Sequence, residues 1–365
     1  MDEIRENIYR LTMILFFGPY PSPENERDGM VQRVAAIDGL IENVPRQYVV
    51  VSYRRHCRRV SEQRGIVAVH RVNFFLHWLF ILKLILAAER VYVHSVFNVL
   101  FALPAYLLGK EVVTDVHGVV PEETRAEGKP MRALIRSVGE RVAAYRSTAL
   151  VCVTQRMADH LAKKYPGSAR SLILPIFDMQ MMGNMEKQIS PSKYPPTIIY
   201  AGGTQVWQNI DLMLEFASKN KNYKYVFLTP NPDILRLKAA RYEGIEAEFL
   251  SCPHNQVGKY YERAEFGFLL RDDNIINSVA CPTKAIEYMA YGIIPVVLNM
   301  NIGDFSRLGA SFVLLSEISE PPGRADILAM QKKNFVCLDR LMSQYQVGVT
   351  ALTEILIERK RMALE

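Results

Sequence analysis

The feature that most constrains this chain is an alternation of short apolar runs with helical periods that runs through its first half, stops, and starts again. The first half opens with an apolar run at 11–17. A loop rich in proline and glycine follows, reaching Gly29, and then a helical pattern with apolar Val31, Val34, Ala35, Ile37 and Leu40. Further strands are predicted at 48–53, 91–94, 111–116 and 149–154, with helices such as 132–145 and 155–164 between them. Parallel strands need long crossovers, and helical crossovers cover the sheet faces. The alternation therefore predicts a parallel sheet with helices on both faces.

Residues 178–196 interrupt the pattern with Met, Ser, Pro and Gly and no clear period, which reads as a linker. The second half restarts with a strand running into Gly202-Gly203. Helices are then predicted at 209–218, 255–262 and 283–291, and strands at 225–228, 246–250, 266–270 and 294–298. The expectation is an α/β chain of two doubly wound, Rossmann-like domains facing across a cleft. A first domain spans 1–178, a linker 179–196 and a second domain 197–326. The helical tail 327–365 has no strand partner, and its packing back onto the first domain is left open. Ligands of such domains bind at the carboxyl ends of the strands.

Charge is distributed unevenly. Of 44 basic and 38 acidic residues, 24 and 18 lie within 1–180, so the whole excess of +6 sits in the first half. That half is expected to meet an anionic partner. The run 72–88 is very apolar, interrupted by His77 and Lys83, and shorter than the about 20 residues a bilayer span needs. Just before it, Arg46, Arg54, Arg55, Arg58, Arg59, Arg64 and Arg71 face a single acid, Glu62. Two readings stand. Residues 46–88 make a peripheral contact with anionic lipid, or they form a buried helix beside a solvated basic loop. Nucleic acid is not expected, because the aromatics lie in one apolar run and not along a basic groove.

The five cysteines, Cys57, Cys152, Cys252, Cys281 and Cys337, form no CxxC pair and no zinc-ligand spacing. The beginning of the sequence carries no secretory pattern. Both points lead to an expected cytoplasmic protein with reduced thiols. Walker, G-x-G-x-x-G, nucleophile-elbow and H-E-x-x-H motifs are not found.

The sharpest chemical signal is 269–295. A strand ends at Leu270, a polar loop carries Arg271, Asp272 and Asp273, and Pro282-Thr283 starts a helix. A helix N-terminus with Lys284 beside it suits a diphosphate. Glu287 lies three residues on, on the same face, where a carboxylate can accept from ribose hydroxyls. Gly292 ends the helix and Pro295 follows. Arg271 has a second reading as a surface partner of Asp272 or Asp273.

Pro282, Lys284, Glu287, Tyr288, Ala290, Gly292 and Pro295 together resemble the nucleotide-binding element of GT-B glycosyltransferases of the large retaining family 4 type. Residues 200–211 resemble the loop opening that family's donor domain, and 151–155 its usual last acceptor-domain strand. Asp115-Val-His-Gly118 resembles its first-domain histidine motif. The resemblance implies donor contacts from Gly203, Thr204, Arg271, Ser278, Thr283, Lys284 and Glu287, with Glu287 on ribose and Lys284 near phosphate. It also implies a catalytic-site role for His117 and a phosphate or acceptor loop at Gly29. Neither metal nor cofactor is implied, the nucleotide sugar being the donor substrate. Two positions depart from the family. Many relatives carry Glu-x7-Glu, whose first member falls here at Val279, and many carry Arg and Lys in the loop that here reads Gly203 to Asn209.

The implied reaction is glycosyl transfer, with retention, from a nucleoside-diphosphate sugar to a glycan or lipid-linked acceptor. Its setting is bacterial surface-polysaccharide assembly at the cytosolic membrane face. Alternatives on the same scaffold are a catalytically inactive partner subunit and a nucleotide-sugar epimerase.

Overall fold

The structure is a computed structural model that describes residues 13–22, 29–176, 195–253 and 256–357. The start of the 11–17 run, part of the loop before Gly29 and most of the linker lie outside the described residues. Described residues up to Leu174, with those from Gln344 onward, form one compact unit, and those from Pro175 to Ser343 form another.

The first unit is built on strands β1 (Ile14–Phe17), β2 (Arg46–Ser52), β3 (Val60–Arg64), β4 (Val67–Asn73), β5 (Arg90–His94), β6 (Glu111–Val116), β7 (Ala149–Cys152) and β8 (Ser171–Ile173). They form one sheet in the order β3-β4-β2-β1-β5-β6-β7-β8, parallel except for the β3–β4 pairing. Helices α1 (Gly29–Gly39), α2 (Trp78–Ala87), α3 (Leu103–Leu107), α4 (Val120–Ala126), α5 (Pro130–Arg146) and α6 (Gln155–Lys164) link the strands. The order reverses between β1 and β5, and that switch point is where doubly wound sheets place ligands.

The aromatic centre of this unit is Phe16, stacked on Tyr48 at 4.7 Å and close to Tyr92 at 4.9 Å. Parallel strands covered on both faces read as unbroken apolar runs, and β1 and β5 are buried along their whole length.

The second unit repeats the scheme with β9 (Thr197–Ala201), β10 (Lys224–Leu228), β11 (Ala247–Leu250), β12 (Phe266–Leu269), β13 (Ile294–Val297) and β14 (Val313–Leu314). Their order, β11-β10-β9-β12-β13-β14, is wholly parallel and switches between β9 and β12. Its helices are α7 (Ile210–Lys219), α8 (Pro232–Ala239), α9 (Val257–Tyr261), α10 (Ile275–Ser278) and α11 (Thr283–Ala290).

A final long helix, α12 (Arg324–Ile357), begins in the second unit. Its later part packs Leu352 and Leu356, with Tyr345 and Val349, against the first unit's core. It approaches β8 so closely at Gly348 that a Cβ there would collide with the Ile173 carbonyl.

Three expectations are corrected. Residues 60–73 are a hairpin, β3 and β4, where a basic loop was expected. The apolar run 72–88 is divided, since Val72 and Asn73 end β4 and the helix starts only at Trp78. Pro282 stands outside α11 as its extended N-cap, and Thr283 is the first helical residue. None of the described helices is long and apolar enough to cross a membrane.

Candidate functional site

In the second unit the carboxyl end of β9 runs into Gly202 and Gly203, and the neighbouring end of β12 into Leu270 and Arg271. Helix α11 is locked beneath these two ends by Tyr288. Its hydroxyl accepts from the Ala201 N–H (3.2 Å), and its ring lies where a Cβ on Gly267 would come within 2.6 Å. The helix stops at Gly292, whose φ of +68° suits glycine.

That anchoring points Lys284 at the β9 loop. Its ammonium reaches the Tyr200 hydroxyl (3.3 Å) and Gln208 Oε1 (3.4 Å), and sits 4.5 Å from the centre of the Tyr200 ring. Gly202 makes room for it, because a Cβ there would occupy the place of Nζ. Burial, with the nearby Arg271 charge adding to it and Glu287 opposing, pushes the Lys284 pKa down to about 7.

Arg271 is partly buried and has no ion-pair partner among the described residues. The two acids offered as its partners are engaged elsewhere. Asp272 accepts from Asn209 Nδ2 (2.9 Å), and Asp273 from Asn301 Nδ2 (2.9 Å). Burial lowers the Arg271 pKa, and Tyr200 and Asp272 oppose that shift. Two basic side chains thus lie near enough for the Arg271 charge to depress Lys284, beside the N-terminus of a helix that no side chain caps. Such an arrangement favours an anion.

Glu287 lies one turn along α11, where Oε2 accepts from the Tyr261 hydroxyl (2.8 Å). Asn209 holds a left-handed conformation (φ +54°) that asparagine tolerates, and its amide also reaches the Leu270 carbonyl (3.2 Å). It therefore joins the β9 loop to the β12 loop. Tyr200 donates to the Gly203 carbonyl (2.5 Å) and fixes that turn. Thr204 is half-buried and Thr283 exposed. Ser278 is buried and donates to the Ile275 carbonyl (3.0 Å), inside a short helix capped by Asn274. Val279 is buried and apolar.

The first unit holds a second cluster at its own switch point. His94 ends β5, and Asp115 and His117 lie at the end of β6. Arg33 comes from α1. It donates through Nε and Nη2 to the two oxygens of Asp115 (3.1 Å each) and through Nη1 to the Leu174 carbonyl (2.8 Å). His94 and His117 stack at 4.6 Å, and their Nδ1 atoms stand 3.3 Å and 3.8 Å from Asp115 Oδ2. Side-chain exposure rises from 0% at His94 and Asp115 to 16% at His117, so His117 is the ring with access to solvent. Ser95 turns the chain after β5 with a strained φ of +66°.

Burial would raise the Asp115 pKa, but the Arg33 charge and the adjoining His117 and His94 outweigh it and hold the carboxyl well below its usual range. Burial lowers the His94 pKa, against the pull of Asp115. The ligand atoms of His94, Asp115 and His117 lie within 4.8 Å of one another. Arg33 occupies both Asp115 oxygens, however, and its fixed charge opposes a cation there.

Reading the sequence alone missed Arg33, His94, Tyr200, Gln208, Tyr261 and Asn209 as members of these clusters. An arginine on the apolar face of α1 was the one available signal. Gly29 opens α1, and the residues just before it lie outside the described ones.

The second sheet has the 3-2-1-4-5-6 order of a doubly wound domain, and the first has the same order in β4-β2-β1-β5-β6-β7, with β3 and β8 added at its edges; together they define the GT-B fold. No family model matches the sequence, nor does any curated protein sequence. Solved structures do match in fold. Sucrose-phosphate synthase from Thermosynechococcus elongatus has a TM-score of 0.65 at 10% identity, covering 94% of this chain and 98% of that one. An α,α-trehalose 6-phosphate synthase from Burkholderia multivorans has a TM-score of 0.63 at 11% identity, with the same coverage of 94% and 98%. HepE from Anabaena, solved in complex with UDP and glucose, has a TM-score of 0.54 at 12% identity, covering 93% and 94%.

Proposed function

We propose that this chain is a glycosyltransferase that moves a sugar from a nucleoside-diphosphate sugar, with UDP as the nucleotide, to an acceptor hydroxyl with retention of configuration. The observation that carries the reading is the pairing of Lys284 with Arg271 at the N-terminus of α11, with Glu287 one turn further on the same helix. The bond between the anomeric carbon and the diphosphate oxygen breaks, and a bond to the acceptor oxygen forms as its proton leaves. Charge grows on the departing diphosphate. In this reading Lys284 in its ammonium form, Arg271 and the helix N-terminus meet that charge, which is electrostatic catalysis.

In this reading Glu287 accepts from ribose, and Gly203, Thr204, Ser278 and Thr283 line the donor. His117 positions the donor sugar or takes a proton, and the loop at Gly29 approaches phosphate or acceptor. No metal and no cofactor is required. The likeness to HepE, whose structure holds UDP, supports the choice of nucleotide. The acceptor is a glycan or a lipid-linked glycan of bacterial surface-polysaccharide assembly. The protein works in the cytoplasm at the inner membrane face, through residues 46–88.

A second reading, an inactive partner subunit, is favoured by buried Val279 and by the uncharged loop from Gly203 to Asn209. Incubation with a panel of nucleotide sugars and membrane extract separates the two. Release of UDP with labelled glycan supports transfer. Binding of a donor without turnover supports the inactive subunit, and binding of no donor contradicts transfer.

A further inference from the structure

The second prominent surface of this molecule lies far from the donor loop in sequence and belongs wholly to the first unit. Helix α5 turns its small residues inward, with Ala133, Gly139, Ala143 and Ala144 buried. Its large apolar residues point the other way. Met131 is 79% exposed, Leu134 64%, Ile135 53% and Val138 53%. Their spacing of three, four and seven residues makes one continuous stripe along the helix. A helix of a monomer in water normally buries such a stripe, and here it faces solvent.

Helix α2 does the same. Ile81, Leu84 and Ile85 are buried, while Trp78, Leu79 and Leu86 are exposed around Lys83, and Phe75 and Leu76 just before the helix are exposed too. The two helices belong to one face. Helix α3 packs against both and adds exposed Leu107 and Leu108 at and just beyond its end. Tyr53 packs beside α2, with its ring 5.7 Å from Phe75. Arg136 in turn covers the Phe97 ring at 4.4 Å.

Charge chooses the occupant. Arg54, Arg55, Arg58 and Arg59 border this face, and Arg132 and Arg136 rise from α5. None of the six has an ion-pair partner among the described residues. The acids within reach are already used. Glu62 is held by Arg64 and Arg71, and Glu140 is buried against Lys164. An apolar stripe on two helices too short to span, rimmed by arginines without an ion pair among the described residues, has the composition of a monotopic surface for an anionic bilayer. We propose that α2 and α5 together dock this protein on an anionic phospholipid bilayer, with the apolar residues entering the interface and the arginines on the headgroups. This rests on the membrane contact proposed for 46–88 and enlarges it to a second helix that the basic segment does not contain.

Co-sedimentation of the full chain with vesicles of phosphatidylcholine, with and without phosphatidylglycerol, tests it. The intact protein should pellet with the phosphatidylglycerol vesicles and be released by salt. Leu134→Glu with Ile135→Glu on α5 should weaken that binding by about tenfold or more, the scale of one lost leucine contact. Leu79→Glu on α2 should do likewise, and both variants should keep wild-type thermal unfolding. If the α5 variant binds like wild type while the α2 variant fails, the two-helix face is wrong and the contact through 46–88 stands. If the intact protein ignores both vesicles, both fail. A dimer in analytical ultracentrifugation that the α5 variant dissolves, without vesicle binding, assigns the face to a second copy and overturns the proposal.

Discussion

Arg33 and Asp115 meet through two parallel hydrogen bonds of 3.1 Å at a depth where neither side chain reaches water. They are 82 residues apart, and their pairing joins helix α1 to the strand end that carries His117. A buried pair of this kind costs about 3–5 kcal/mol when one partner is removed, because the other is left charged and alone. Arg33→Met or Asp115→Asn should each lower thermal stability by that amount. The double variant Arg33→Met with Asp115→Leu should recover most of it and still lose transfer activity. Full activity in the double variant removes Asp115 from any role beside His117.

The same pair sets an acid limit. The folded-state pKa of Asp115 is depressed, so its contribution to stability is complete above the ordinary carboxylate range and is lost as pH falls through the folded value. Acid unfolding should therefore be steeper in the wild type than in the double variant, followed by circular dichroism.

Lys284 gives a pH dependence of the opposite kind near neutrality. Its pKa in the free protein is about 7, and a diphosphate binds the ammonium form. Donor affinity should be full below pH 7 and should fall above it, by up to about tenfold per pH unit. The fall ends where the raised pKa of the complex is passed. Calorimetry with a UDP-sugar, whose diphosphate has no proton to lose near neutrality, measures this. Lys284→Met should bind weakly and without the slope. A flat wild-type profile removes Lys284 from the phosphates.

Gly202→Ala isolates the position of that amine. The new Cβ falls where Lys284 Nζ now stands, and the Gly202 backbone is not in the left-handed region that would strain alanine. Donor affinity should drop while the unfolding midpoint stays within a few degrees. Unchanged affinity means that the amine can serve from elsewhere.

Tyr261→Phe removes the hydroxyl that donates to Glu287. Losing a hydrogen bond to a charged group is worth about 1.5–3 kcal/mol, so UDP affinity should weaken by about tenfold or more if Glu287 must be held in place. A pure packing role for Tyr261 leaves affinity unchanged.

The central strands of the two sheets were legible because they are buried on both faces and read as short apolar runs, as in β5 and β9, whereas the half-exposed edge strands β8 and β14 were not. Strand β3 was not. All of its residues but one are exposed, so neither face imposes an apolar period, and its arginines resemble those of a loop. Helix α10 was hidden for a different reason, since four residues capped by Asn274 carry no helical period. Lys284 and Glu287 could be placed from the sequence because one helix holds both. Arg33, His94 and Asp115 meet only through sheet order, and no local pattern joins residues on three separate elements.

The central claim is that the N-terminal turn of α11 holds a nucleoside diphosphate, and titration of UDP into the wild type and Glu287→Ala tests it most directly. The account predicts measurable binding to the wild type and a loss of about ten- to a hundredfold in the variant, which stays folded with an unfolding temperature lowered by the lost Tyr261 hydrogen bond. A wild-type protein that binds no UDP, or a Glu287→Ala variant that binds it equally well, contradicts the account.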